Sequence, residues 1–184
     1  MAKKIGMLIV ASMFASSVYA ENNDVYIGVN VSKTDYEYKL DGFSDTLNFD
    51  GATGAGLTFG YLKEISDNVD IGFEAVLHNF GSEKENGADS STAAFIFNIK
   101  PTYYFGDSGF SLAASLGLGS YNTDLEVNGV EASESEVSFS YGLEAGYDIT
   151  ERFNINASFM KTSIGYEGLD VDLDAMLIGA KYRF

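Results

Sequence analysis

The chain has 184 residues, a formal net charge of −16, no cysteine and a single histidine. Phosphate repulsion by so acidic a chain argues against a nucleic-acid partner. The missing thiols exclude disulfides and thiolate metal sites, and one imidazole leaves no zinc site of the usual kind.

The chain begins MAKKIGMLIVASMFASSVYA. Lys3 and Lys4 precede an apolar run broken only by small residues, and Val18-Tyr19-Ala20 closes it with spacing suited to signal peptidase. Residues 1–20 read as a cleaved secretory signal and residues 21–184 as one domain. The apolar run is short for a permanent membrane helix, and without a following cysteine it does not predict a lipoprotein.

Beyond the signal, apolar and polar residues alternate in eight runs. The first, Asp24–Ser32, carries Val25, Ile27, Val29 and Val31 on one face. Gly54–Leu62 follows with Leu57, Phe59 and Tyr61, then Val69–His78 with Ile71, Phe73 and Leu77. Thr92–Tyr104 has Phe95, Phe97 and Ile99, and contains the lone proline, Pro101, expected near a strand end at a bulge or irregular hydrogen bond. Phe110–Gly119 is the fifth run. The sixth, Val137–Ile149, alternates most regularly, setting Phe139, Tyr141, Leu143 and Tyr147 against Ser138, Ser140, Gly142 and Glu144. Phe153–Met160 is the seventh. The eighth runs to the last residue, with Met176, Ile178, Ala180, Tyr182 and Phe184 on one face.

Connections after the even runs are short (KEISDN, FGDSG, TER), while those after the odd runs are long and polar. That rhythm predicts an all-β, closed, eight-stranded antiparallel up-and-down barrel. Period two alone does not say which face is wet. A soluble barrel hides its apolar face in the lumen, whereas a membrane barrel turns it to lipid and keeps a polar interior. The polar face here is rich in glycine (Gly28, Gly56, Gly60, Gly142, Gly146, Gly179), which would weaken a solvent-facing sheet but leaves room inside a narrow bore. The opposite face carries bulky apolar residues, with Tyr61, Tyr103, Tyr147, Tyr182 and Phe184 near the short-turn end as an aromatic girdle. The expected fold is therefore a transmembrane β-barrel with both termini at the short-turn, periplasmic end.

The cleavable signal, the eight runs, the stretch AGYDITERFNINASFMK and the terminal AKYRF resemble the small outer-membrane β-barrel proteins of Gram-negative bacteria, the OmpA-like, OmpX-like and opacity-type barrels. The resemblance spans the whole chain after the signal. It implies an outer-membrane location, contact with outer-membrane lipid and lipopolysaccharide, and a terminal signal for the barrel-assembly machinery at Ile178, Ala180, Tyr182 and Phe184. No cofactor is expected, and no carboxy-terminal cell-wall-binding domain.

The alternation points Asp70, Glu74, Glu144 and Asp148 into the lumen together with Lys100, Lys181 and Arg183. Charges there need partners. Glu74, Lys100 and Glu144 are expected to form a mid-lumen network, with Lys181 near Glu144 or Asp70. The similar lumenal acid–base pairs of OmpA-like barrels support that arrangement. It serves either as internal filling or as a gate for a narrow ion path.

His78 is expected at a strand rim. It matches neither the His-x-Ser spacing of lipid A deacylase barrels nor the acid-and-His cluster of the outer-membrane protease family, so no catalysis is expected. Most remaining charge lies in expected acidic loops at residues 33–52, 122–136 and 163–174. Within the last, LDVDLD sets Asp170, Asp172 and Asp174 on one face, a weak candidate row for a divalent cation without an EF-hand pattern. The expected role is structural or surface-interacting, with four acidic extracellular loops and an unnamed cell-surface ligand. A narrow low-conductance pore for ions or very small solutes is the alternative.

Overall fold

The computed structural model describes residues 24–40, 46–85, 88–127, 130–166 and 169–184; the signal-peptide reading of residues 1–20 lies outside them. Eight strands form one closed antiparallel barrel in chain order: β1 (Asp24–Leu40), β2 (Thr46–Ser66), β3 (Val69–Glu85), β4 (Ala88–Tyr104), β5 (Phe110–Val127), β6 (Val130–Thr150), β7 (Phe153–Tyr166) and β8 (Leu169–Arg183). The last strand closes on the first, with Ile27 opposite Tyr182, Val29 opposite Ala180 and Val31 opposite Ile178. The Phe184 amide donates to the Val25 carbonyl at 3.0 Å, so hydrogen bonding continues to the final residue.

The turns after β2, β4 and β6 are tight, and the one after β4 contains a 3₁₀ turn at Gly106–Ser108. Pro101 lies near that end, as expected, but without a bulge. It faces Ile71 of β3 in register, and the β4–β5 ladder lapses between Ile99–Leu116 and Thr102–Ala113. A residue with no N–H to donate leaves a gap in the ladder at that point.

The apolar face points outward. Val29, Val31, Phe97, Leu116, Leu118, Phe139, Leu143, Met176 and Ile178 are all more than half exposed, an arrangement that water would penalise heavily. On β8 the band runs from Met176 to Phe184. Those residues rise ~3.3 Å each along a tilted strand, about the height of a hydrocarbon core. Aromatic rings gather at the turn end: Tyr103 on Phe105 at 5.1 Å, Phe110 on Tyr147 at 4.9 Å and Tyr182 on Phe184 at 5.3 Å.

The strands continue well past this band. The segments read as long acidic loops are largely strand: β1 runs on to Leu40, β8 starts at Leu169, and β5 and β6 pair from Val127–Val130 downward. Above the band the polarity of the wall inverts. On β1, Lys33, Asp35, Glu37 and Lys39 continue the outward row of Val25–Val31, while Thr34, Tyr36 and Tyr38 point inward and are buried. On β8, Asp170, Asp172 and Asp174 are outward, and Val171, Leu173 and Ala175 are buried inside.

These inward side chains meet Phe80, Ala94, Ile96, Tyr121 and Ile164 in an apolar plug. The expected uniformly polar bore is thus corrected. Ionised groups gather in the turn-side part of the bore, and toward and beyond the other margin of the lipid band apolar and aromatic side chains pack together with buried hydroxyls such as Thr92 and Thr123.

The ladder also divides there. The β2–β3 pairing reaches only Ala55–Asn79 and the β6–β7 pairing only Ser140–Thr162, whereas the other six interfaces extend to the hairpin ends among the described residues. Beyond the band the wall is two four-stranded sheets, β3-β4-β5-β6 and β7-β8-β1-β2, packed face to face over the plug. At the β2–β3 seam Gly81, with φ +93°, lies so close to the Thr53 backbone that a side chain there would collide with it.

Placing Arg at Leu143, in the middle of the lipid band, should lower stability by about 2–4 kcal/mol in lipid vesicles. The same change at exposed Ser135, beyond the band, should cost little. Urea unfolding of the two variants checks this, and equal costs would contradict the assigned band.

Candidate functional site

The lumen behind the lipid band holds the densest chemistry. Glu74 on β3, Lys100 on β4, Glu144 on β6 and Lys181 on β8 converge from four strands because each occupies an inward position of its alternation. Lys100 donates to Glu74, and the two side chains are 4% and 6% exposed. Lys100 Nζ also reaches Glu144 Oε1 at 3.3 Å. Lys181 Nζ donates to Glu144 Oε1 at 2.6 Å and lies 3.7 Å from Glu74 Oε1. Two acids and two bases therefore alternate around the bore, leaving the cluster with no formal net charge.

Tyr26, which the sequence reading did not single out, completes the cluster. Its hydroxyl donates to Glu74, and its ring lies 5.7 Å from Lys100 Nζ and 5.6 Å from Lys181 Nζ. Gly60 on the neighbouring strand makes that placement possible, because a Cβ there would overlap the Tyr26 ring. A single aromatic inside a glycine-rich face was the available signal.

The other inward charges stand apart. Arg183 approaches Asp148 Oδ1 at 3.6 Å and donates to the Tyr104 hydroxyl at 3.2 Å, and Asp148 accepts from Asn154 at 2.8 Å. Asp70 lies beside Tyr104 in this second group nearer the turn end, not beside Lys181.

His78 is not at a rim. The length of β3 places it inside, 3% exposed, with Nε2 2.9 Å from Ser32 Oγ and its ring centroid 4.3 Å from that of Phe80 in a tilted arrangement. Its Nδ1 has no hydrogen-bond partner among the described residues, so no carboxylate orients it as a catalytic base would require. A cavity of about 70 Å³ separates the apolar plug from the ion cluster and is lined in part by His78, Asn30, Asn98 and Lys181. It is large enough for about two water molecules.

Outside the barrel, the Asp170-Asp172-Asp174 row faces lysines. Lys39 donates to Asp172 Oδ2 at 2.6 Å, Ser163 donates to the other oxygen, and Lys161 pairs with Asp174 at 3.0 Å. The hydrogen bond from Lys39 holds the Asp172 carboxyl below its usual value. Its small contribution to stability is thus present above the ordinary carboxylate pKa and disappears as pH falls through the lowered one. Among the described residues no cluster of His, Asp and Glu assembles as a metal site. The terminal residues Ile178, Ala180, Tyr182 and Phe184 all lie on the lipid-facing side of β8.

Replacing Lys100 by Met removes the cation nearest Glu74 and should destabilise the barrel by about 3–5 kcal/mol. Combining it with Glu74→Gln should restore much of that loss. A double-mutant cycle by urea unfolding measures the coupling, and additive single effects would mean the pair does not act as a unit.

Known barrels share this architecture. The chain is similar to Ail, the attachment invasion locus protein of Yersinia pestis, at 20% identity and a TM-score of 0.61, over 88% of this chain and 99% of Ail. Ail in complex with the heparin analogue sucrose octasulfate matches at 21% identity and a TM-score of 0.57, over the same shares. Neisserial surface protein A matches at 9% identity and a TM-score of 0.61, over 89% of this chain and 100% of the other. These likenesses establish the fold. A search of curated proteins finds no match. The model of the outer membrane protein beta-barrel domain family matches residues 6–184, and the chain belongs to that family of outer-membrane barrels.

Proposed function

We propose that this outer-membrane barrel is a rigid, non-enzymatic platform that presents acidic hairpins to partners outside the cell. Both termini lie on the periplasmic side in this reading. Lipopolysaccharide surrounds the outer part of the band, and the alternating aromatic terminus engages the barrel-assembly machinery during biogenesis.

One observation carries the reading. The acids of residues 122–136 (Asp124, Glu126, Glu131, Glu134 and Glu136) have no base among them and sit on a hairpin that the two-sheet extension holds beyond the membrane band. Asp124, Glu134 and Glu136 are exposed on the paired walls of that hairpin and give this surface a negative potential. The Ail structure with a heparin analogue holds a polyanion. The opposite sign of this hairpin favours a cationic partner instead.

The narrow-pore alternative has less support. Phe80, Tyr121, Ile164 and Leu173 are fully buried in the plug, and an ion crossing it would exchange most of its hydration for bulky side chains and a few hydroxyls. The compensated charges of Glu74, Lys100, Glu144 and Lys181 further discourage a mobile ion from entering. The purified barrel is expected to stay silent in planar bilayers, and steady unitary openings would favour the pore.

Recognition by the acidic hairpin is tested with zwitterionic vesicles carrying the protein. They should be retained on polylysine-coated surfaces and not on heparin-coated ones. Conversion of the five acids to their amides should abolish retention. Retention unchanged by that conversion would overturn the reading.

A further inference from the structure

His78 stands at the join between the two fillings of the bore. Its ring meets Phe80 of the plug, and it also lines the cavity of about 70 Å³ that borders the ion cluster. On the ladder His78 faces Gly56, and Gly56 faces Asn30, so the glycine lies between the two side chains. A Cβ at Gly56 would come within 2.2 Å of His78 Nδ1 and 2.9 Å of Asn30 Oδ1, so both atoms border one small space. Neither atom has a hydrogen-bond partner among the described residues. The other ring nitrogen is committed, because Nε2 lies 2.9 Å from the Ser32 hydroxyl.

Imidazole is the side chain that ordinarily gains charge just below neutral pH. A neutral ring suits this site, with a hydroxyl at one nitrogen and an aromatic neighbour against its face. A charged ring does not. No carboxylate among the described residues pairs with His78. Glu74 on its own strand is held by Lys100 of β4, and Glu144 on β6 is held by Lys181 of β8. The other titratable groups in this part of the bore are phenols: Tyr26 within the cluster, and Tyr36 and Tyr121 in the plug. The nearby inward positions of β2 and β7, Gly56, Thr58, Asn156 and Ser158, carry no ionisable group.

An imidazolium here would be a buried charge without a counter-ion, which is costly unless water reaches it. The cavity supplies the space for that water, and Phe80 is the neighbour that must give way. A route for the proton exists from the turn end. Lys100, Glu144 and Lys181 border this cavity and also a smaller one, of about 20 Å³, that extends to Tyr104 and Arg183.

We propose that His78 is an acid-sensitive latch on the plug. Uncharged, it holds Phe80 in place between Ser32 and the cavity. In acid its ring takes one proton from water onto a nitrogen lone pair, with no other bond made or broken. The charged ring draws water into the cavity, releases Phe80 and loosens the plug while the barrel wall stays closed. This device is independent of the acidic-hairpin reading above, since it concerns the lumen and not the outer surface.

The chain's single histidine makes the test direct, because its imidazole signal has no rival. With the full chain in zwitterionic nanodiscs, NMR follows that signal and amide exchange from about pH 7 to about pH 4.5. Protection factors at Phe80 and Ile96 should fall by about tenfold over the interval in which the ring becomes charged. Ile178, in the lipid band, should keep its protection. His78→Gln keeps a polar side chain that takes up no proton, and should abolish the loss at Phe80.

Four results would overturn the proposal. The ring could charge while Phe80 and Ile96 stay protected, or it could remain neutral throughout the interval. Ile178 could lose protection to the same extent, which would mean global unfolding. The same loss could persist in His78→Gln, which would assign it to the carboxylates. Should that variant fail to fold, coincidence of the ring titration with the loss at Phe80 in the unaltered chain decides the matter.

Discussion

Closure of β8 on β1 is the constraint from which the rest follows. In hydrocarbon each unpaired N–H or C=O costs several kcal/mol, so a sheet can cross a membrane only if it has no edge. The register from Tyr26–Arg183 to Lys33–Met176 meets that demand through the whole lipid band, and the Phe184 amide extends it to the chain end. Closing on eight strands fixes a narrow bore. What fills that bore is then a packing problem, met by glycines where large groups must fit and by large groups where they can be paired. Gly60 under Tyr26 shows how closely the two are matched.

The same alternation serves two solvents. From Val25 to Val31 the outward residues meet lipid, and from Lys33 to Lys39 the outward residues of the same strand meet water. Each change of outer medium is mirrored inside, from Gly28, Asn30 and Ser32 to Tyr36 and Tyr38. An apolar lumen beyond the membrane allows the wall to extend as a water-soluble two-sheet sandwich, with its own hydrophobic core. The wall can also afford open edges there, since water satisfies backbone groups that lipid would not.

This duality explains what the sequence made legible. The eight strands and their order follow from period two and a count of turns; the outward aromatic rows and the inward positions of Glu74, Lys100, Glu144 and Lys181 follow once the glycine-rich face is assigned to the bore. The strand extensions did not stand out, although KTDYEYKL and LDVDLD alternate as strictly as the membrane runs. There the outward residues are charged, so acidity suggested a loop while the apolar residues at every second place were the start of the plug. His78 was misplaced for the same reason, since a strand assumed to end at residue 78 puts its last residue at the rim. The two seams could not have been read at all. Where a ladder stops depends on the relative heights of neighbouring strands, which no single segment encodes.

The two halves of the lumen also bear on what the barrel can do. The ion cluster ties four strands together across the bore, and its charges cancel. Leaving one of these buried charges without a partner would cost about 3–5 kcal/mol, so the four groups hold together as a unit. The plug then fills the other half with bulky side chains such as Phe80, Ile164 and Leu173, which leave a passing ion few polar groups to replace water. A conducting path would need both halves to rearrange together. Such a construction gives rigidity beneath the hairpins, and a rigid base would lower the entropy lost in the proposed capture of a partner there. In the proposed role, a filled lumen serves recognition by keeping the wall beneath the hairpins rigid.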